Sequence, residues 1–338
     1  FKLFVYMAAL EAGFRPEDKV DDAPIDIRGW QPRNSGGRYA GEISLRTAFT
    51  YSKNTVAARI GDELGTGSIV SMARRFGITT PVNSSPSMVL GTSEARVIDM
   101  TRAFAQVGAG GQSLTPYGIK KVTTIDGDVI YSSKRSKKIQ LVQPHVAAGM
   151  TDLMQSAVAV GTGRAAQIGR PVAGKTGTTS SNKDGWFLGF SSGLTTGVWM
   201  GRDDAKAVRG LEGGRAPARA FAAFMRVATA KRPVVKFATN VTFPERLEDE
   251  DYSLTDAEEL IEDSLLVDEN GMPIEGVPDL GDDAVGPIHE GERFDQDWLD
   301  RALGRKPQQG APSDESNPNI PPPSPPSNAD PGAPPTGG

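Results

Sequence analysis

The segment that most restricts the fold is Gly169–Thr176, G-R-P-V-A-G-K-T. Its eight residues match a phosphate-binding loop, G-x-x-x-x-G-K-[ST], and that loop belongs to one architecture only. It needs a buried strand before it and a helix immediately after it, whose N-terminal amides face the phosphates. Upstream stands GTGRAAQIGRP, which lacks a β-branched run. Downstream stands GTTSSNKDG, poor in helix formers and rich in strand and turn residues. Pro171 also removes one amide from the loop that should cradle the phosphate. The context therefore argues against a nucleotide loop. It reads instead as a strand, VAGKTGTT, followed by GWFLGFSSG and LTTGVWMGRDD, three short runs separated by turns that predict an antiparallel meander.

The flanking segments are mostly helical. FKLFVYMAALEAG has helical apolar spacing and stops at a glycine. Residues 15–41, rich in Asp, Pro, Gly and Asn, read as a long surface loop. ISLRTAFTYSKNTVAARIGDELG predicts two short helices broken around Ser52 to Asn54. TGSIVSMARRFGI, EARVIDMTRAFAQVGAGG, QPHVAAGMTDLMQSAVAVGTG and APARAFAAFMRVATAKR give further helices, and KKVTTIDGDVIYSS a hairpin at Asp126-Gly127. Helices before and after an antiparallel sheet predict an α+β fold with a mainly helical part.

The net charge of -5 conceals a split. Residues 1–243 hold 32 basic and 18 acidic side chains, whereas residues 244–298 hold 2 basic and 20 acidic. From Pro307 onward, 11 of the 25 prolines fall within 32 residues, too polar a tail to order itself. The expected division is thus 1–232 as the folded domain, 233–303 as an acidic extension and 304–338 as a disordered Pro-rich tail. There is no cysteine, which excludes disulfides and thiolate chemistry. His145 and His289 lack metal-type partners nearby in sequence. An acyl-transfer reaction here would draw its base from elsewhere than histidine.

On the strand reading, Lys175 and Gly177 share one face, and Thr176 and Thr178 the other. A glycine at a strand edge lets a ligand lie close to the backbone. Free amides there can bind a developing oxyanion, and the lysine and hydroxyls a substrate carboxylate. Lys175-Thr176-Gly177 is the K-T-G triplet of penicillin-recognising serine enzymes. Alone it is weak, as is the S-x-N triplet Ser52-Lys53-Asn54, which recurs as Ser180-Ser181-Asn182. Ser52 is favoured by its place between two helices, where hydroxyl and amide can project into a cleft, although helix capping would also explain it. The nucleophile motif of these enzymes, S-x-x-K, sets the lysine one helical turn after the serine. Lys2 fits that lysine, and its serine would fall before Phe1; we expect the chain to be truncated there.

With these residues in place, the chain resembles the transpeptidase domain of a bifunctional class A penicillin-binding protein, across nearly all of residues 1–232. FKLFVYMAALEAG is similar to the helix that follows the S-T-F-K nucleophile motif. GWQPRNSGGRYAGEISLRTAFTYSKNTVAARI is similar to the lead-in to S-x-N, and GTGRAAQIGRPVAGKTGTTSSNKDGWFLGFSSGLTTGVWMGRDD to the K-T-G strand pair. The resemblance implies a penicillin-binding, β-lactamase-like fold. It makes Lys2 the base for the missing serine, Ser52 a proton relay to the leaving amine, and Asn54 a donor-peptide ligand. Lys175 would supply positive charge, Thr176 and Thr178 would hold the terminal carboxylate beside Gly177, and the Thr178 amide would form half of the oxyanion hole. The implied reaction cross-links peptidoglycan stem peptides, with a D-Ala-D-Ala donor and an amine acceptor. β-Lactams are the implied inhibitors, and neither cofactor, metal nor nucleic acid is implied. A D-alanine carboxypeptidase, a serine β-lactamase or a non-catalytic peptide-binding module shares the motifs. A membrane anchor and a glycan-polymerising domain are expected upstream, and an extracytoplasmic location with them.

Overall fold

The computed structural model describes residues 1–134, 137–179 and 181–244. The acidic extension beyond residue 244, the Pro-rich tail and Ser180 of the second S-x-N triplet lie outside the described residues. In chain order, α1 (Lys2–Glu11) precedes an antiparallel ladder of β1 (Lys19–Asp22) and β2 (Gly41–Ser44), and β2 runs directly into α2 (Leu45–Thr50). Helices α3 (Asn54–Glu63), α4 (Gly65–Arg75) and α5 (Val97–Gly108) follow. Strands β3 (Lys121–Thr123) and β4 (Val129–Ser132) form a hairpin, with Gly127 at φ +94° in its turn and a register slip between Val122 and Thr123. The chain then forms α6 (Pro144–Ala159), the meander β5 (Ala173–Thr178), β6 (Asp184–Ser191) and β7 (Leu194–Gly201), and finally α7 (Ala216–Ala228).

The described residues fall into two compact units, of which residues 119–133, the β3–β4 hairpin, belong to one and the rest to the other. In the larger unit α1 is apolar around nearly its whole circumference, and Leu3 to Leu10 are all buried. A helix with no polar face has to lie inside the molecule, and α3, α4 and α6 pack around it. One core gathers α1, Phe49, Val56, Phe76, Phe104 and Met150 with Leu188 and Phe190 of the sheet. A second, on the opposite face, joins Phe187 to Phe221 and Met225 of α7. Alternate residues of β6 thus anchor two layers of helices, as period-two side-chain direction requires.

Two features differ from the sequence reading. Residues 15–41 were expected as a surface loop, yet they contain β1 and carry Asp22 and Asn34 into the interior. The strand is four residues long and is held by polar rather than apolar burial, so no hydrophobic alternation marks it. Beyond α7, residues 233–244 return across the larger unit. Phe237 packs edge-on against Phe190, Phe243 against His145, and Arg15 Nη2 donates to the Pro244 carbonyl at 3.0 Å.

Candidate active site

The break between α2 and α3 is where the site begins. The Ser52 amide donates to Phe49 O and the Lys53 amide to Ala48 O, the paired bonds of a Schellman helix ending. In that motif the residue after the cap adopts a left-handed conformation and is usually glycine. Here it is Ser52, at φ +58°. A serine in that position is strained, and the strain aims its side chain back toward α1. Lys2, in the first turn of α1, meets it there: Lys2 Nζ lies 3.1 Å from Ser52 Oγ, 2.6 Å from Ser52 O, 3.2 Å from Lys53 O and 2.6 Å from Asn54 Oδ1. All three residues of the triplet therefore touch one amine. Asn54 is held for this by donating Nδ2 to Arg33 O at 2.8 Å, which turns its Oδ1 toward Lys2.

Neither Ser52 nor Asn54 caps α3 with its side chain. That work is done by Asn34, whose Oδ1 accepts from the amides of Asn54 (2.6 Å) and Thr55 (3.3 Å). Asn34 in turn donates to the buried carboxylate of Asp22, which also receives Lys53 Nζ, Thr55 Oγ1 and the Ala40 amide. No local pattern marks these two residues, because they serve a helix that begins 20 positions beyond Asn34 and still farther from Asp22.

Among the described residues, β5 is an edge strand paired only with β6. The Thr179 amide donates to Asp184 O, and Thr178 stands opposite Gly185. In an antiparallel ladder bonded and non-bonded pairs alternate, so the Thr178 amide turns away from β6, toward the free edge. Thr178 Oγ1 accepts from the Gly213 amide at 2.9 Å, which leaves its own hydrogen free to donate. Gly213 must be glycine, since a Cβ there would collide with the carbonyls of Gly177 and Trp186. Thr176 Oγ1 shares a hydrogen bond of 2.7 Å with Thr162, and the Thr162 amide donates to Thr50 O at the end of α2. Thr162 thereby joins the strand to the helix that carries Ser52, a link that the sequence reading did not single out. A Cβ on the neighbouring Gly161 would collide with Thr50 O, so this approach also needs glycine.

Lys175 is 5% exposed, with Nζ 3.2 Å from Thr176 O and 5.5 Å from the centre of the Phe49 ring. Burial alone brings its pKa down from 10.5 to about 7. Lys2 is driven well below the ordinary lysine range, first by burial and second by the charge of Lys175, while Asp22 pulls the other way. Asp22 itself titrates below the usual carboxylate range. Burial raises it, but the hydrogen bonds from Lys53, Thr55, Asn34 and the Ala40 amide outweigh that. The arrangement is one of two amines easily made neutral, an adjustable hydroxyl, and an outward-facing strand amide.

A profile of the penicillin binding protein transpeptidase domain matches residues 1–264. The chain belongs to that transpeptidase family. Among curated relatives it is 38% identical over 248 residues to penicillin-binding protein 1A of Neisseria lactamica, covering 69% of this chain and 31% of that protein. It is 30% identical over 266 residues to the Rickettsia typhi protein of the same name, covering 70% and 34%. This transpeptidase chain therefore spans about a third of the length of those relatives. Of solved structures, penicillin-binding protein 1A of Haemophilus influenzae superposes with a TM-score of 0.64 at 27% identity, over 70% of this chain and 42% of that one. PonA1 of Mycobacterium tuberculosis, solved with penicillin V, gives 0.63 at 28%, over 73% and 71%. These neighbours bear out the penicillin-binding, α+β fold.

Proposed function

We propose that this transpeptidase domain supplies the proton-transfer and donor-binding groups of a peptidoglycan D,D-transpeptidase. The observation that carries the reading is the convergence of Ser52 Oγ and Asn54 Oδ1 on Lys2 Nζ, at 3.1 and 2.6 Å, beside the buried Lys175. Lys2 is the base for the family's serine, three residues before it and thus upstream of Phe1. That serine's oxygen attacks the carbonyl between the two terminal D-alanines, and its proton passes to Lys2. The Thr178 amide, with the serine's own amide, stabilises the oxyanion. As the C–N bond breaks, the leaving D-alanine takes a proton relayed through Ser52, and an acyl-enzyme remains. An amine of a neighbouring stem peptide then attacks the ester, gives up its proton by the same route, and restores the serine.

Lys175 supplies positive potential to the donor's carboxylate, and Thr176 and Thr178 hold that carboxylate by hydroxyl donation across Gly177. The free hydrogen on Thr178 supports this role. β-Lactams acylate the same serine, in keeping with the penicillin V complex of PonA1. The names and lengths of the curated relatives support a whole protein at the periplasmic face of the cytoplasmic membrane, with an anchor and a glycan-polymerising domain outside this chain. Of the extension expected at 233–303, residues 233–244 pack back on the domain; the rest of it and 304–338 are then a linker and a tether.

Intact-mass analysis after exposure to penicillin tests the reading. A version extended by its native upstream residues should gain one penicillin mass, and a chain beginning at Phe1 none. An extended chain without an adduct would overturn the proposal.

A further inference from the structure

We infer that Asp22 is a positioning residue for this acyl-transfer site, holding the Ser52–Asn54 triplet against Lys2 through Lys53 and Asn34. The inference rests on the transpeptidase reading. The middle residue of an S-x-N triplet has no chemistry of its own in that reading, yet here its side chain reaches inward. Lys53 Nζ contacts Asp22 Oδ2 at 2.5 Å, and Asp22 is fully buried. The other carboxylate oxygen takes Thr55 Oγ1 and Asn34 Nδ2, both at 2.5 Å, and the Ala40 amide completes the shell at 2.9 Å from Oδ2.

Two of these donors lead back to Lys2. Lys53 presents its carbonyl to Lys2 Nζ. Asn34, oriented by Asp22, fixes the Asn54 amide, and Asn54 Oδ1 is one of the two nearest oxygens to Lys2. A carboxylate with four donors can adopt only one orientation, so it sets the positions of the turn, the start of α3 and the asparagine together. That is the precision a pre-organised site needs, supplied from a rigid strand rather than from the strained turn itself.

A second consequence is electrostatic. The charged groups that act on Lys2 are Lys175 from β5 and Asp22 from β1; Lys53 from the turn pairs with Asp22, and Tyr6, one turn along α1, also feels Asp22. The carboxylate and Lys53 offset each other, so removing one unmasks the other. Without the Asp22 charge, Lys2 loses its proton at lower pH. Without the Lys53 charge, it loses it at higher pH.

The test uses the parent protein with its native residues upstream of Phe1, and reads second-order acylation by a fluorescent penicillin from pH 5.5 to 9.5. Rates are normalised to the number of acylatable sites, so misfolded protein does not contribute. Asp22→Asn should lower the normalised rate about tenfold and move the acid limb down by about 0.5–1 pH unit. Lys53→Met should move the limb up by a similar amount, and the double variant should return it near the wild-type position. Should Asp22→Asn give no folded protein, the upward shift in Lys53→Met decides alone. Variants that lose only site number, with unchanged normalised rates and limbs, would reduce Asp22 to a structural residue and overturn the inference. A wild-type parent that penicillin does not acylate would instead bring down the transpeptidase reading, and the inference with it.

Discussion

Ser52 offers a separation of fold strain from chemistry. Its φ of +58° puts a residue with a Cβ where a Schellman ending normally has glycine. The left-handed conformation costs a non-glycine residue roughly 1–2 kcal/mol. Glycine escapes that cost but has a more disordered unfolded chain, which returns about 0.4–1 kcal/mol. Ser52→Gly and Ser52→Ala both delete the hydroxyl 3.1 Å from Lys2, so that loss cancels between them. What remains is the backbone difference, about 0.5–1 kcal/mol in favour of glycine. For a folded body of this size that is about 1–4 °C in Tm. Thermal unfolding of the two variants should therefore rank Ser52→Gly above Ser52→Ala. Acylation of the extended chain should fall about 10²–10⁴-fold in both, the scale of a lost proton-transfer group. An alanine variant more stable than the glycine one by about 0.4–1 kcal/mol would refute the strain argument, because glycine would then bring only its unfolded-state entropy.

Lys175, with a folded pKa of about 7 against 10.5 unfolded, is penalised most where both states hold the proton, below pH 7. Between pH 7 and 10.5 the unfolded state binds the extra proton, so stability rises with pH; Lys175→Met should raise Tm more at pH 6 than at pH 9.5, as differential scanning calorimetry would show. Gly213→Ala forces a Cβ against two backbone carbonyls. It should cost about 2–3 kcal/mol in urea unfolding and slow acylation, because the Gly213 amide releases Thr178. Asp22→Ala strands Lys53 and should cost about 3 kcal/mol at pH 7. Because Asp22 titrates below its unfolded range, its contribution is present above about pH 4 and fades as pH falls further, so wild-type and variant melting curves should converge in acid.

The sequence carried the meander, the helices and the break at Ser52–Asn54, because these follow from local rules: apolar period, turn residues, and helix formers on either side of a gap. It also carried Lys2, Lys175 and the triplet residues, through motifs whose spacing is local. Asp22, Asn34 and Thr162 were not legible. Each acts across space on a segment twenty or more positions away, or on a strand in another layer, and short polar residues in a loop-like stretch look the same whether they face solvent or a buried helix end. Strand β1 was missed for the same reason, since the burial that defines it is the burial of a carboxylate.

The protonation of Lys2 shows why the triplet should end a helix on serine. Of the four oxygens within 3.2 Å of Nζ, three are carbonyls that can only accept. That shell favours an ammonium with three donors over an amine with two. Burial and the charge of Lys175 oppose it, and their net effect holds Lys2 well below the ordinary lysine range. A charge-assisted hydrogen bond contributes about 1.5–3 kcal/mol, so the carbonyl shell works against burial and Lys175 without overcoming them. In the proposed mechanism such opposed effects let the base take a proton and return it within one turnover. The fourth oxygen, Ser52 Oγ, is the one partner that serves both forms, accepting from the ammonium and donating to the lone pair of the amine. A glycine would relax the helix ending and remove that partner, leaving the lone pair without a donor among these contacts. The left-handed strain at Ser52 is thus the counterpart of a hydroxyl that follows the proton in both directions.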